Sequence, residues 1–311
     1  MLATENVPQR GTWKKYHANP ILGGPELGTC FDVHVRRIET GYRMYFSWRP
    51  KKSIACVEGP DGIHWSAPEL ILSPWPESGW EDEVNRNCVV YHDGIWHMWY
   101  TGQARDLRYS WIGYARSRDG KQFERVSSEP VMIPEQPWER ESVMNPFVCR
   151  DEERQLFRMW YAAGETSEPN AIGYAESSDG VNWKKCRCNP IFTAGHEPYE
   201  KNRVGGCEVL KNPDGTWTMF YIGYETIHTA SICAATSPDG LTRWERFPNN
   251  PLVSPSPGEW DGEACYKPSV LFDPEANRWM LWYNGRQGQN EYIGLAMLPG
   301  TDSTRRNSFN F

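Results

Sequence analysis

The chain has 311 residues, and 40 acidic against 33 basic side chains leave a formal charge of −7. That balance argues against an unbroken basic surface, so no nucleic-acid partner is expected. No apolar run approaches the roughly 18 residues of a membrane span, so no membrane partner is expected either.

The opening MLATENVPQRG lacks the apolar segment of a secretory signal. Nine cysteines, with Cys186 and Cys188 too close for a usual CxxC clip, read as free thiols in a reducing, cytoplasmic compartment. The 42 aromatic residues, with 27 Gly and 24 Pro, suit short strands joined by tight turns rather than long helices.

In chain order, Trp13-Lys14-Lys15 comes first, followed by Asn19-Pro20-Ile21-Leu22. A unit over about 23–75 then carries FDVHV at 31–35, RMYFSW, and Asp61-Gly62 ahead of Trp65. The unit at 76–134 carries RNCVV at 86–90, HMWYTG, and Asp119-Gly120 ahead of Phe123. The unit at 135–194 has MNPFV at 144–148, RMWYAAG, and Asp179-Gly180 ahead of Trp183. The unit at 195–254 has GGCEV at 205–209, TMFYIG, and Asp239-Gly240 ahead of Trp244. The last, 255–299, has YKPSV at 266–270 and WMLWYNG, but stops after EYIGLAMLPG.

The DG turns recur at intervals of 58, 60 and 60 residues, and each unit alternates with period two. The expected fold is therefore an all-β, five-bladed β-propeller, each blade a four-stranded antiparallel sheet. The last unit lacks its fourth strand. Trp13 and Asn19 repeat the spacing of Trp183 and Asn189. Residues 13–22 are therefore expected to complete the last blade and close the ring, making 1–311 one domain. Residues 301–311 read as a tail.

The strand that opens each unit should line the axis. Its third and fifth positions are apolar or small and should pack between blades. The second positions read Asp32, Asn87, Asn145, Gly206 and Lys267, and the fourth read His34, Val89, Phe147, Glu208 and Ser269. A structural column repeats one residue in every unit; a functional one differs, because one substrate meets five units from five directions. Asp32, His34, Glu208 and Lys267 each occur once in their columns and are the sharpest candidates. Arg86 and Arg203 stand just ahead of this face as substrate clamps or salt bridges. Glu81, Glu139, Glu200 and Asp261 recur and read as joining residues; Glu83, Glu141 and Glu263 recur in three units and stand between the two readings. No HExxH, P-loop or His-rich ligand set is present.

The pattern W(E/D)…NP.V…DG.W.MWY.G…IGYA.S.DG..W…NP over about 13–299 resembles the five-bladed β-propeller glycosidase superfamily. That group holds arabinanase and β-xylosidase-like, fructofuranosidase-like and mannoside phosphorylase-like enzymes. The resemblance implies a glycoside hydrolase acting on an oligosaccharide or polysaccharide. Asp32 would be base or nucleophile, Glu208 the general acid and Glu141 a reserve carboxylate. The tuning Asp of the arabinanase-like group would fall at Asn145, which supplies no charge. His34, Arg86, Asn87, Asn145, Arg203 and Lys267 would bind substrate, with Trp80, Trp138 and Trp260 stacking on sugar faces.

A carboxylate gap of about 6.5–9.5 Å would mean inversion, the outcome the resemblance leans toward, and about 5–5.5 Å retention. No cofactor is expected; a structural calcium or sodium ion stays open. Three alternatives remain: a phosphate-dependent phosphorylase, a non-catalytic carbohydrate-binding propeller and a polysaccharide lyase.

Overall fold

The computed structural model describes residues 6–9, 11–104, 106, 108–166 and 168–300. The tail expected over 301–311 lies outside the described residues. Among them there are 21 strands and no α-helix. After the short β1 (Lys14–Lys15), the first meander is β2 (Cys30–Ile38), β3 (Gly41–Trp48), β4 (Ser53–Gly59) and β5 (Glu69–Leu72). The second is β6 (Glu83–His92), β7 (Ile95–Gln103), β8 (Ser110–Ser117) and β9 (Glu124–Arg125). The third is β10 (Ser142–Asp151), β11 (Leu156–Gly164), β12 (Pro169–Ser177), β13 (Lys184–Lys185) and β14 (Phe192–Thr193). Next come β15 (Arg203–Lys211), β16 (Trp217–Tyr224), β17 (Ala230–Ser237) and β18 (Glu245–Arg246), then β19 (Ala264–Asp273), β20 (Arg278–Gln287) and β21 (Asn290–Pro299).

The expected ring of five separate four-stranded sheets, closed by the N-terminal strand, is not what forms. The strands make three hydrogen-bonded sheets of eight, nine and four strands. Single parallel bridges, Ser110 to Ser142 and Ala230 to Ala264, merge neighbouring meanders into the two larger sheets. No sheet closes on itself. β1 pairs with β21, Lys14 opposite Met297 and Lys15 opposite Ala296, and adds one short edge strand to the eight-stranded sheet. The physical reason lies in what repetition encodes. A repeated strand pattern dictates pairing within a unit, whereas the backbone at the edge between two units bonds wherever the edges meet.

Side chains do most of the joining between meanders. The indoles of Trp99, Trp160 and Trp282 donate to the carbonyls of Gly180, Gly240 and Gly62 at 2.8, 2.9 and 2.8 Å. Each of these DG turns thus serves a neighbouring meander as an acceptor. The turn glycines sit at positive φ, 73–78° at Gly62, Gly120, Gly180 and Gly240, where a side chain would strain the backbone.

A second lock repeats at the recurring carboxylates. Tyr100, Tyr161, Tyr221 and Tyr283 donate hydroxyls to Glu81, Glu139, Glu200 and Asp261. Arg125, Lys185, Arg246 and Lys15 complete the four as cations. These carboxylates are buried, and a buried carboxylate persists only when paired in this way. The opening strands β2, β6, β10, β15 and β19 contact one another in that cyclic order.

Seven of the nine cysteines are free. The expectation of free thiols throughout fails at Cys186 and Cys188, which are bonded to each other. No helix among the described residues is long and apolar enough to cross a membrane.

Candidate active site

The opening strands share one defect. Pairing slips between Phe31 and His34, Asn85 and Cys88, Met144 and Phe147, Gly205 and Cys207, and Tyr266 and Ser269. Each slip is a β-bulge, which re-aims the side chain it carries. The residues at the slips are Asp32, Arg86, Asn145, Gly206 and Lys267, all at positive φ (54°, 53°, 51°, 25° and 50°). Non-glycine residues rarely adopt this conformation, and at order 1–3 kcal/mol each it persists only where the surroundings impose it.

This register corrects the second unit by one residue. Arg86, not Asn87, stands with Asp32, Asn145 and Lys267. Asn87 stands with Val33, Pro146, Cys207 and Pro268, fully buried, and neither Nδ2 nor Oδ1 has a hydrogen-bond partner among the described residues. Strict period-two counting cannot see a bulge, which is why parity put Asn87 on the axis.

Asp32 is buried, and Ser47 Oγ donates to its Oδ2 at 3.1 Å. The same Ser47 hydroxyl accepts the Arg86 N–H at 3.0 Å, so β3 holds two bulges at once. Burial pushes the Asp32 carboxyl above its ordinary range; Arg86 and Lys267 pull it back, and Glu291 adds to the rise. Glu291 is itself held by the Tyr266 hydroxyl at 2.7 Å and by Arg49 at 2.5 Å. Asn145 is anchored through its N–H to Thr101 Oγ1 at 3.1 Å, while its buried Oδ1 has no partner among the described residues.

A second layer lies two residues further along each of these strands: His34, Cys88, Phe147, Glu208 and Ser269, matched through their pairing partners. This layer stitches strand to strand. Cys88 Sγ accepts Val148 N–H at 3.2 Å, Glu208 Oε1 accepts Val270 N–H at 3.2 Å, and Ser269 Oγ accepts Val35 N–H at 3.0 Å. His34 Nε2 lies 3.1 Å from the Val89 carbonyl, which requires the proton on Nε2.

Burial, with Arg36 and Lys267 nearby, holds the His34 pKa well below its ordinary value, so the ring is neutral. Its 3.8 Å approach to Glu208 Oε2 is therefore not an ion pair at neutral pH. Burial also pushes the Glu208 carboxyl up, against the pull of Arg36, the Val270 N–H, Ser269 and Lys267. Lys267 acts on Asp32, His34 and Glu208, so these expected residues share one environment.

The other expected residues stand apart. Glu141 is exposed at the head of β10. Trp80 is buried flat against Tyr100, ring centroids 6.3 Å apart, and its indole donates to Ser128 O. Trp138 packs on Tyr161 and Gly173, and Trp260 stacks on Tyr283 and Tyr292 over Gly285 and Gly294. All three tryptophans cover sheet surface. Arg203 is half-buried, its Nη1 bonded to Glu165 Oε2 at 3.2 Å and to the Glu168 carbonyl at 3.0 Å.

Sequence reasoning missed several groups near this cluster: Glu291, Tyr266 and Arg49 near Asp32, and Glu168, Tyr224 and Arg286 near Arg86 or one another. They sit at strand ends and in connecting turns, where the repeat offers no column to compare. The paired glycines at 205 and 206 were the available signal, since side-chain-free backbone marks a close approach. Among the described residues no group of three or more His, Cys, Asp or Glu side chains is arranged to hold a metal ion.

The family model for the glycosyl hydrolases family 32 N-terminal domain matches residues 35–188. Two uncharacterized proteins of Mycobacterium tuberculosis are 32% identical over 276 residues, covering 83% of this chain and 88% of theirs. A beta-1,2-mannobiose phosphorylase of Thermoanaerobacter is 25% identical over 253 residues, covering 76% of each chain. Among solved structures, a thermostable family-43 glycoside hydrolase superposes with a TM-score of 0.72 at 18% identity, covering 92% of this chain and 94% of that one.

Proposed function

The chain belongs to the same family as the two mycobacterial proteins, and from its likeness to glycoside-acting enzymes and the buried Asp32 and Glu208 carboxyls we propose that it cleaves glycosidic bonds by carboxylate catalysis. Its wider homology is to glycoside-acting enzymes, hydrolases and phosphorylases alike. The observation that carries the reading is Asp32: a buried carboxylate on a strained bulge, fixed by Ser47 and faced by Arg86 and Lys267.

Cleavage through an oxocarbenium-like state needs a carboxylate on one face of the sugar and a proton for the leaving oxygen on the other. Asp32 takes the first role, as base toward water or as nucleophile. Lys267 and Arg86 pull its pKa back against the rise that burial imposes. Asn145 Oδ1, an unpaired acceptor, suits a sugar hydroxyl. Glu208 stays in this reading as a proton-holding carboxylate at the floor, beside neutral His34.

Phosphorolysis is the second reading. It is favoured by the likeness to the mannobiose phosphorylase and by the cations Arg86 and Lys267 near Asp32 and Arg203 and Arg286 near Glu168. One experiment serves both. Alkyl, aryl and natural glycosides are incubated with the enzyme, with and without inorganic phosphate. Free sugar without phosphate supports hydrolysis, and sugar 1-phosphate formed only with phosphate supports phosphorolysis. No turnover in either condition refutes both.

A further inference from the structure

The fourth opening strand is the exception in the bulge layer. Gly206 has no side chain where Asp32, Arg86, Asn145 and Lys267 carry polar ones. Its neighbour Gly205 is equally bare, and a Cβ there would meet Pro169 Cγ at 2.5 Å. Gly205 therefore lets the start of β12, and the turn that leads into it from β11, lie against β15, while a Cβ at Gly206 would meet Ile222 Cδ1 at 3.0 Å and Asn145 Nδ2 at 3.2 Å. That turn carries Glu168, which is only partly buried.

Arg203 pins the turn through the Glu168 carbonyl at 3.0 Å and Glu165 Oε2 at 3.2 Å. Tyr224 lies beside the Glu168 carboxyl. Arg86, Arg286 and Arg203 are the cations around it, and Arg86 is shared with Asp32. The turn packed on Gly205 and pinned by Arg203 thus brings a second carboxyl group near Arg86, the same cation that acts on Asp32.

We propose that Glu168 is the catalytic carboxyl group that protonates the leaving oxygen, standing in for the side chain that Gly206 lacks. This rests on the glycoside reading. As the bond between the anomeric carbon and the glycosidic oxygen breaks, its electron pair stays on that oxygen, which takes the Glu168 proton and leaves as an alcohol. Water bonds to the anomeric carbon and gives a proton to Asp32. Asp32 then releases that proton to solvent and Glu168 takes one back, so the site is restored.

Burial raises the Glu168 pKa, which favours holding the proton, while Tyr224 and the three arginines stabilise the carboxylate left behind. Glu208 is less well placed for this step. Its Oε1 is occupied by the Val270 N–H, and it lies in the layer beneath the bulges.

The test compares wild type, Glu168→Gln and Glu208→Gln on matched alkyl and dinitrophenyl glycosides. For Glu168→Gln the expected loss is about 10²-fold or more on alkyl substrates, under about 10-fold on dinitrophenyl ones, with loss of the alkaline limb of the pH–rate profile. Glu208→Gln should show no such dependence on the leaving group.

A Glu168→Gln enzyme with unchanged turnover, with equal losses on both substrates, or with its alkaline limb intact overturns the assignment while leaving the glycoside reading standing. A wild type inactive on the whole panel, with or without phosphate, overturns the reading and this role together. If Glu168→Gln fails to fold by its urea transition, Glu168→Asp decides. A selective loss on alkyl glycosides with the alkaline limb retained supports the role, and wild-type turnover rejects it.

Discussion

Asp32 combines three unfavourable features: it is charged when ionised, buried, and in left-handed backbone. Asn tolerates positive φ better than most residues, so Asp32→Asn should fold with a urea midpoint close to wild type. Its turnover should fall by roughly 10²-fold or more on the substrate found in the screen. Near wild-type turnover would remove Asp32 from the chemistry.

Burial also sets a pH signature. Raised carboxyl pKa values at Asp32 and Glu208 mean that the folded state holds protons the unfolded chain has released. Their contribution to stability is present in full below the unfolded pKa and is lost as pH rises through the folded values. Glu208→Gln removes one such contribution, so its unfolding free energy should fall less than that of wild type between about pH 4 and neutrality. Asp119 has the opposite sign. The N–H groups of Gln122 and Lys121 hold it down at about 2, so its contribution is present above its unfolded pKa and lost as pH falls toward that value. Asp119→Asn should therefore flatten the acid limb of the stability curve, as read by urea titrations at stepped pH.

At the scale of elements, the repeated lock of carboxylate, tyrosine and cation ties the segment leading into each of the last four meanders to strands of that same sheet. Lys185 on β13 bonds Glu139 Oε2 at 2.8 Å, and both side chains are well buried. Removing one partner strands a buried charge, so Lys185→Met should cost about 3–5 kcal/mol. Adding Glu139→Gln should return a good part of that loss, because the uncompensated charge is gone. A double mutant as unstable as Lys185→Met alone would show that packing, not charge, sets the cost. The amide oxygen of Glu139→Gln can keep the Glu135 and Gln136 N–H groups that Oε2 accepts, and the Tyr161 hydroxyl, which donates to Oε1, can accept from the amide NH2 instead.

At the scale of the whole molecule, β1 occupies in the last meander the place that β13 holds in the third. Lys15 bonds Asp261 Oδ2 at 2.5 Å as Lys185 bonds Glu139, and Trp13 buries its ring edge-on to Phe220 at 6.2 Å. Asn19 bonds both N–H and C=O of Leu295, as Asn189 does with Tyr174. Deleting residues 1–24 should therefore cost about 3 kcal/mol or more, from lost apolar burial and an unpaired Asp261. An unchanged denaturant midpoint would refute this account of the N-terminal segment.

By itself the sequence determined the all-β class, the five-fold repetition, the DG turns, the recurrence of Glu81, Glu139, Glu200 and Asp261, and the pairing of a segment within residues 13–22 with the last strand. These are local or periodic features, and period-two alternation with turn residues at fixed offsets encodes them directly. It also singled out Asp32, His34, Glu208 and Lys267, because each breaks its column. The tertiary structure alone decided that the strands join as sheets of eight, nine and four, that bulges place Arg86 rather than Asn87 beside Asp32, and that Glu291 comes near Asp32 and Glu168 near Arg86. A bulge shifts register by one residue without a fixed sequence mark, and a turn that lies against a neighbouring strand is a long-range contact no repeat records. Side-chain aim at such places follows from the packing of several strands at once, so it exists only in the folded chain.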